Sequence, residues 1–231
     1  MLQSISKKKI YFYLLILLFL SSTFNFNIIS KFKKLSSINN IYIEGLSKKE
    51  KSIIEKKLEV FINQNIFLIN REDAEKIFET NSFIDSYKIT KIFPSKILVN
   101  VKKTEFVGKT ILDGKKFYIG KNGKFIEISL VEKEYNLPQI FGDFKVSDFL
   151  NLQEILDTNG FKLSKIKNYY YYKSDRWDIE TIDDVLLKLP SQNIEQSLTM
   201  YKSLLKVNKI IQGQLIDLRM KNKIILTDEK K

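Results

Sequence analysis

Between Lys9 and Lys31 the chain carries no charged residue. That run constrains everything after it. IYFYLLILLFL, from Ile10 to Leu20, is almost wholly apolar, and SSTFNFNII continues it to Ile29. About 20 residues at roughly 1.5 Å each cross a hydrocarbon core about 30 Å thick. A backbone inside lipid must satisfy its own hydrogen bonds, so the run is expected to be a helix. The reading is a cytoplasmic tail over 1–9 and a transmembrane helix over 10–30, with the remaining residues on one side of the membrane. A cleavable signal peptide is the competing reading, with Lys7, Lys8 and Lys9 as its basic start. Apolar residues persist past Ser21, Ser22 and Thr23, and no A-x-A pattern follows, so an uncleaved anchor is preferred. Lysines flank both ends, so local charge does not orient the helix. A long following domain translocates largely regardless of such charges, which favours a cytoplasmic amino terminus and an exported body.

Composition removes whole classes of chemistry. There is no cysteine, hence no disulfide and no thiol nucleophile, and no histidine, hence no Ser-His-Asp or Cys-His catalysis and no His-ligated zinc. Only carboxylate, lysine or tyrosine chemistry remains. The formal charge is +12. Nucleic acid is a poor explanation for that excess. Only Arg71, Arg176 and Arg219 are arginine, the better phosphate fork, and lysine is spread evenly rather than blocked.

Ile38 to Glu44 alternates as a strand does, and Gly45 breaks it. Ser47-Lys-Lys-Glu50 is a capping box ahead of Ile54, Leu58 and Phe61 at helical spacing. Asn65 to Ile69 is a connector. Asn70 caps a second helix, with Asp73 in its first turn and Ala74, Ile77 and Phe78 on one face. Ser86–Ile92 and Ile97–Val101 read as strands around a Phe93-Pro94-Ser95 turn. The order is β-α-α-β-β. Further strands are expected at Val107–Leu112 and Lys116–Ile119, and Asn122-Gly123 forms a hairpin turn in which both residues accept positive φ. Ser147 is read as the cap of a helix bearing Phe149, Leu152 and Leu156, closed by Gly160. Strands follow at Ser174–Ile179 and Val185–Pro190. A helix from about Ile194 aligns Leu198, Tyr201 and Leu205, and a closing strand runs from Ile216 to Leu226.

Several of these segments carry a resemblance. The β-α-α-β-β order, with glycine after the first strand and Phe-Pro before the last, resembles a POTRA domain. A POTRA domain directly after a single anchor resembles the FtsQ/DivIB family of bacterial cell-division proteins. Leu137-Pro138-Gln139-Ile140-Phe141-Gly142, Arg176-Trp177-Asp178-Ile179 and Ile216-Asp217-Leu218-Arg219 are similar to three segments of that family in the same order. Lys103-Thr104 and Phe106 depart from its pattern after the last POTRA strand, as does Asp175 before the tryptophan. The resemblance implies an α+β protein. It would have one amino-terminal transmembrane helix, a POTRA domain over 36–104, a mostly antiparallel β domain with flanking helices over 105–226, and a tail over 227–231. It implies a non-catalytic scaffold of the inner membrane at the division septum, binding an FtsB/FtsL-type pair and needing no cofactor. The other readings are a POTRA protein of outer-membrane assembly or secretion, or a membrane-anchored cell-wall hydrolase using carboxylates.

Individual residues divide between packing and contact. Tyr169 to Tyr172 are consecutive, so Tyr169 and Tyr171 face one way along a strand and Tyr170 and Tyr172 the other. Trp177 is read as a core anchor. Asp183-Asp184 is read as a turn, and Glu132 with Glu134 as a solvated loop, rather than as catalytic pairs. On the closing strand Ile216, Leu218 and Met220 are expected to face the core, and Asp217 and Arg219 the other side. Main-chain pairing along that strand's free edge would bind the partner, with Arg219 and Arg176 selecting acidic groups. The resemblance points to the same strand, and the expected site is Arg176, Arg219, Met220, Asn222, Lys223, Ile224 and Ile225.

Overall fold

A computed structural model of the chain describes residues 7–22, 31, 33–206 and 212–228. Helix α1 covers Lys7–Ser22, 16 residues, so Lys7 to Lys9 belong to the helix rather than to a preceding tail. After Lys7 to Lys9 it is apolar on every side, with the successive residues Tyr11, Phe12, Tyr13 and Leu14 all exposed. Its length is about 24 Å at 1.5 Å per residue. Among the described residues no helix is long and apolar enough to cross a membrane. The second part of the expected span, residues 23–30, lies outside the described residues.

The first folded unit follows the expected order: β1 (Asn40–Glu44), α2 (Lys48–Leu58), α3 (Arg71–Glu79), β2 (Ile84–Ile92) and β3 (Lys96–Lys103). β3 is central, parallel to β1 and antiparallel to β2. The Glu50 carboxylate accepts from the Ser47 N–H at 3.1 Å and from its hydroxyl at 2.8 Å, so the capping box closes from the glutamate side. Asn70 caps α3, its side-chain oxygen accepting from the Glu72 N–H at 3.3 Å. Both helices turn apolar faces onto the sheet, burying Ile54, Leu58, Ala74 and Phe78 against Ile97, Val99 and Val101.

The described residues that follow build one nine-stranded sheet. Its strands are β4 (Phe106–Leu112), β5 (Lys115–Gly120), β6 (Phe125–Glu127), β7 (Gln139–Phe141), β8 (Ile166–Tyr172), β9 (Arg176–Thr181), β10 (Leu186–Lys188), β11 (Gln214–Asp217) and β12 (Ile225–Asp228). The spatial order is β12-β11-β10-β9-β8-β7-β4-β5-β6. Most neighbours are antiparallel, but β4–β7, β7–β8 and β10–β11 are parallel. Two helices, α4 (Val146–Thr158) and α5 (Ile194–Lys206), supply the connections that the last two parallel pairs require. Their buried residues Phe149, Leu152, Leu156, Leu198 and Tyr201 share one core with Tyr169, Trp177, Ile179 and Ile216. Trp177 is 4% exposed in that core, 4.8 Å from the Tyr171 ring and 5.7 Å from Phe144.

The apolar clusters do not divide where the sheets divide. Tyr118, Ile126 and Val131 belong to the core of the first unit. The Tyr118 ring stacks on Phe106 at 4.9 Å, and its hydroxyl accepts from the Tyr135 N–H at 2.9 Å. The Asn122 side-chain amide donates to the carbonyls of Ser82 and Ile84 at 3.0 and 3.1 Å. Glu50 is 1% exposed and pairs with Lys103, whose ammonium lies 4.7 Å from the Phe106 ring centre.

Several local expectations need correction. Ser147 does not cap α4, which begins after Lys145; its hydroxyl donates to Asp148 instead. In the Asn122-Gly123 turn only Gly123 adopts positive φ, at 77°; the turn with positive φ at two successive residues is Asp113-Gly114, between β4 and β5. Leu205, placed on the buried face of α5, is exposed. The closing segment is a hairpin rather than one strand. β11 stops at Asp217, Asn222 takes φ 59°, the Lys223 N–H donates to the Met220 carbonyl at 3.2 Å, and β12 returns antiparallel. The cause is local: Lys221-Asn222-Lys223 interrupts the apolar alternation, and asparagine tolerates the left-handed conformation. Thr227 and Asp228 are therefore strand and not tail.

Candidate partner-binding site

β12 ends the nine-stranded order, with β11 on one side and no strand on the other among the described residues. Such an edge presents unpaired N–H and C=O groups to any incoming chain. Ile225 and Leu226 are 44% and 40% exposed on it. The residues expected at this site separate in space. Ile225 lies on β12, Ile224 packs on the core just before it, and Met220, Asn222 and Lys223 occupy the turn between β11 and β12. Met220 is half exposed and does not share the buried face of Ile216 and Leu218.

Arg219 and Arg176 are brought onto one surface, and each already holds a carboxylate. Arg219 follows β11 and forks onto Asp217: Nε lies 2.8 and 3.0 Å from the two carboxylate oxygens, and Nη2 also donates. The Arg219 backbone N–H donates to the same group at 3.0 Å. The fork holds the Asp217 carboxyl below its ordinary value, against a smaller opposing effect of burial. On β9, Arg176 Nε lies 3.3 Å from Asp178 Oδ1, and the guanidinium sits 4.4 Å from the Tyr172 ring centre. Asp178 is 1% exposed, and its Oδ2 is buried with no hydrogen-bond partner. Burial pushes its carboxyl above the ordinary value, and Arg176 offsets this only in part.

Lys188 completes the row. It pairs in register with Asp178 of β9 and with Asp217 of β11. The sequence across three strands is therefore Arg176, Asp178, Lys188, Asp217, Arg219, alternating in sign. Alternation along the closing strand already places Asp217 beside Arg219, but Asp178 escapes attention in the sequence, although it stands two residues from Arg176 and so on the same strand face. That i, i+2 spacing was the available signal. The surface keeps one more cation than carboxylate in this row, beside an open strand.

The other singled-out residues have structural duties. Tyr169 is fully buried with its hydroxyl bonded to Gln153, and Tyr171 packs on Trp177, whereas Tyr172 is exposed. Tyr170 faces away from the core, stacked on Phe141 at 5.2 Å, and its hydroxyl donates to Glu180 at 2.6 Å. Burial and that bond raise the Tyr170 phenol to about 12. Asp184 sits at φ 58° and pairs with Lys167, and Glu132 accepts from the Lys49 N–H at 3.4 Å. Among the described residues no cluster of three or more acidic side chains is placed to hold a metal ion.

A two-helix, three-stranded unit joined through a shared core to a larger sheet with one open end defines a two-unit α+β protein. Comparison with known proteins makes the assignment narrower. Residues 36–103 match the family model described as POTRA domain, FtsQ-type, and residues 111–219 match that of cell division protein FtsQ/DivIB, C-terminal. The chain is 24% identical over 188 residues to the cell division protein FtsQ of Rickettsia bellii (strain RML369-C), covering 80% of this chain and 70% of that protein. It is 30% identical over 128 residues to the cell division protein DivIB of Clostridium botulinum (strain Loch Maree / Type A3), covering 55% of this chain and 50% of that protein. The chain belongs to the FtsQ/DivIB family. It spans about half the length of the DivIB relative and rather more of the FtsQ relative.

Proposed function

We propose that this chain is a non-catalytic scaffold of bacterial cell division. In this reading residues 10–30 anchor it in the inner membrane, with the amino terminus cytoplasmic and the body periplasmic. Residues 36–104 and 105–226 act as two binding units, the second gripping an FtsB/FtsL-type pair at the division septum. Family membership supports the role in division, and the uncharged run between Lys9 and Lys31 supports the anchor.

The observation that carries the partner site is the open β12 strand beside the Arg176–Arg219 row. An incoming strand would take its main-chain hydrogen bonds from β12. The surplus cation of the row would favour an acidic segment, with Arg219 shared between Asp217 and the partner. Asn222 and Lys223 in the adjoining turn would flank the entering chain.

The test uses the full chain and a co-expressed FtsB/FtsL-type pair. Successive residues of an antiparallel edge strand point their N–H groups alternately inward and outward. Prolines placed singly at Leu226 and Thr227 therefore differ: one removes a bond to β11, the other an outward donor. The outward variant should keep the wild-type melting temperature and lose capture of the pair. Arg219→Glu should weaken capture on the order of tenfold. Unchanged capture by both would move the site away from this edge.

A further inference from the structure

The first folded unit carries an apolar patch that neither core uses, and it lies where the chain enters the unit from the apolar amino-terminal run. Phe67 and Phe93 stack on each other at 5.0 Å between ring centres and are 65% and 57% exposed. Leu68, beside them, is 80% exposed, and Leu35 and Ile92 are 60% and 41% exposed. Single exposed apolar side chains are ordinary, but several gathered at one end of a small unit mark a contact surface. Backbone bonds fix their grouping. The Ile38 N–H donates to Gln64 at 2.9 Å, Ile66 to Ser36 at 2.9 Å, and Asn39 to Ser95 at 2.9 Å. Residues 36–39, 63–69 and 92–95 are thus one end of the unit.

We infer that this end lies on an anionic bilayer surface, with Phe67, Leu68 and Phe93 dipping into the headgroup region beside the anchor. The inference rests on the reading of residues 10–30 as a membrane anchor. Leu35 of the patch follows Ile29, the last residue of the apolar run, by six residues, so it cannot stand more than about 22 Å from where that run ends. Charge agrees with the assignment. Lys31, Lys33, Lys34, Lys91 and Lys96 are exposed around the entry end, against Glu72 and Asp73 at the start of α3. Apolar side chains ringed by lysines suit the boundary between acyl chains and anionic headgroups. A unit held there has a fixed tilt, which sets the height and direction at which β12 meets its partner.

Native cysteine is absent, so single labels can be placed in the full chain without background. Gln64→Cys borders the patch and leaves its five apolar residues intact; Leu15→Cys reports the anchor and Lys173→Cys the remote β8–β9 turn. Each is labelled with an environment-sensitive fluorophore and reconstituted in phosphatidylethanolamine/phosphatidylglycerol vesicles containing acyl-brominated lipid. Bromine should quench the labels at 15 and 64 and leave that at 173 unaffected. Replacing phosphatidylglycerol by phosphatidylcholine, or adding Phe67→Asp with Phe93→Asp, should at least halve quenching at 64 without changing it at 15. Quenching at 15 but not at 64 overturns the inference while leaving the anchor standing. Blue-shifted but unquenched emission at 64 assigns the patch to contact with a second copy and also overturns it. No quenching at 15 removes the anchor and the inference together.

Discussion

The two ends of the nine-stranded sheet are built from similar residues and treated in opposite ways. At the β5–β6 end, Tyr118 and Ile126 are fully buried, and the chain adds the Asn122 and Lys124 bonds to backbone carbonyls of the first unit. At the β12 end, Ile225 and Leu226 keep 44% and 40% of their surface. One end has become part of a neighbouring core, and the other remains open. An open apolar edge is a liability for a soluble domain unless something covers it in use. The contrast therefore separates residues that hold the molecule together from residues available to a partner.

The largest effect should come from the closed end. Tyr118 loses its stacking on Phe106, its edge contact with Tyr135 and a partly buried hydrogen bond when truncated. Tyr118→Ala should destabilise the protein by about 3–5 kcal/mol, the range for removing a large buried aromatic side chain. Because Tyr118 joins the two units, thermal unfolding followed by circular dichroism should also split into two transitions. A loss below about 1 kcal/mol would mean that the units are not coupled through this core.

A smaller effect is expected at the Glu50–Lys103 pair. Burial disfavours the Glu50 charge, but the bonds from Lys103 and Ser47 outweigh it and hold the carboxyl below its ordinary value of 4.5. Lys103 remains about 20% exposed, so Glu50→Gln should destabilise by about 2 kcal/mol at neutral pH rather than by the full penalty of a buried orphan charge. The depressed value sets the sign: the contribution is complete above pH 4.5 and is lost as pH falls through the lower folded value. The gap in melting temperature between wild type and Glu50→Gln should therefore narrow only below that pH. A gap independent of pH would assign the effect to packing.

The sequence exposes the first unit more fully than the second, for physical reasons. The Ser47–Glu50 box, the Asn70 cap and the Phe93-Pro94 turn are all set by neighbours within a few residues, and each is legible as a local pattern. The sharing of Tyr118, Ile126 and Val131 with the first core is set by contacts far apart in sequence, and alternation along β5 looks the same whether its outer face meets solvent or another unit. The candidate site fails for a local reason instead. Arg219 stands out by rarity, but its fork onto Asp217 follows from a strand conformation that ends one turn earlier than the apolar pattern suggests. Asn222 between two lysines, flanked by apolar runs, was the signal for that hairpin.

The smallest folding effect should come from the open end, and it sharpens the comparison most. Ile225 opposes Asp217 across the β11–β12 pair, and nearly half of its surface already faces solvent. Ile225→Ser removes little buried area and leaves the Asp217–Arg219 fork in place. Its effect on folding should therefore stay below about 1 kcal/mol, as for surface substitutions outside special features. Partner capture should respond differently, since an apolar side chain on an edge strand packs against whatever strand is added. The expected result is a melting temperature within a few degrees of wild type with capture weakened several-fold. If Ile225→Ser instead destabilises as much as Tyr118→Ala, β12 is as structural as β5 and the two ends are alike. If neither stability nor capture changes, the open end is open but unused, and the partner must approach elsewhere.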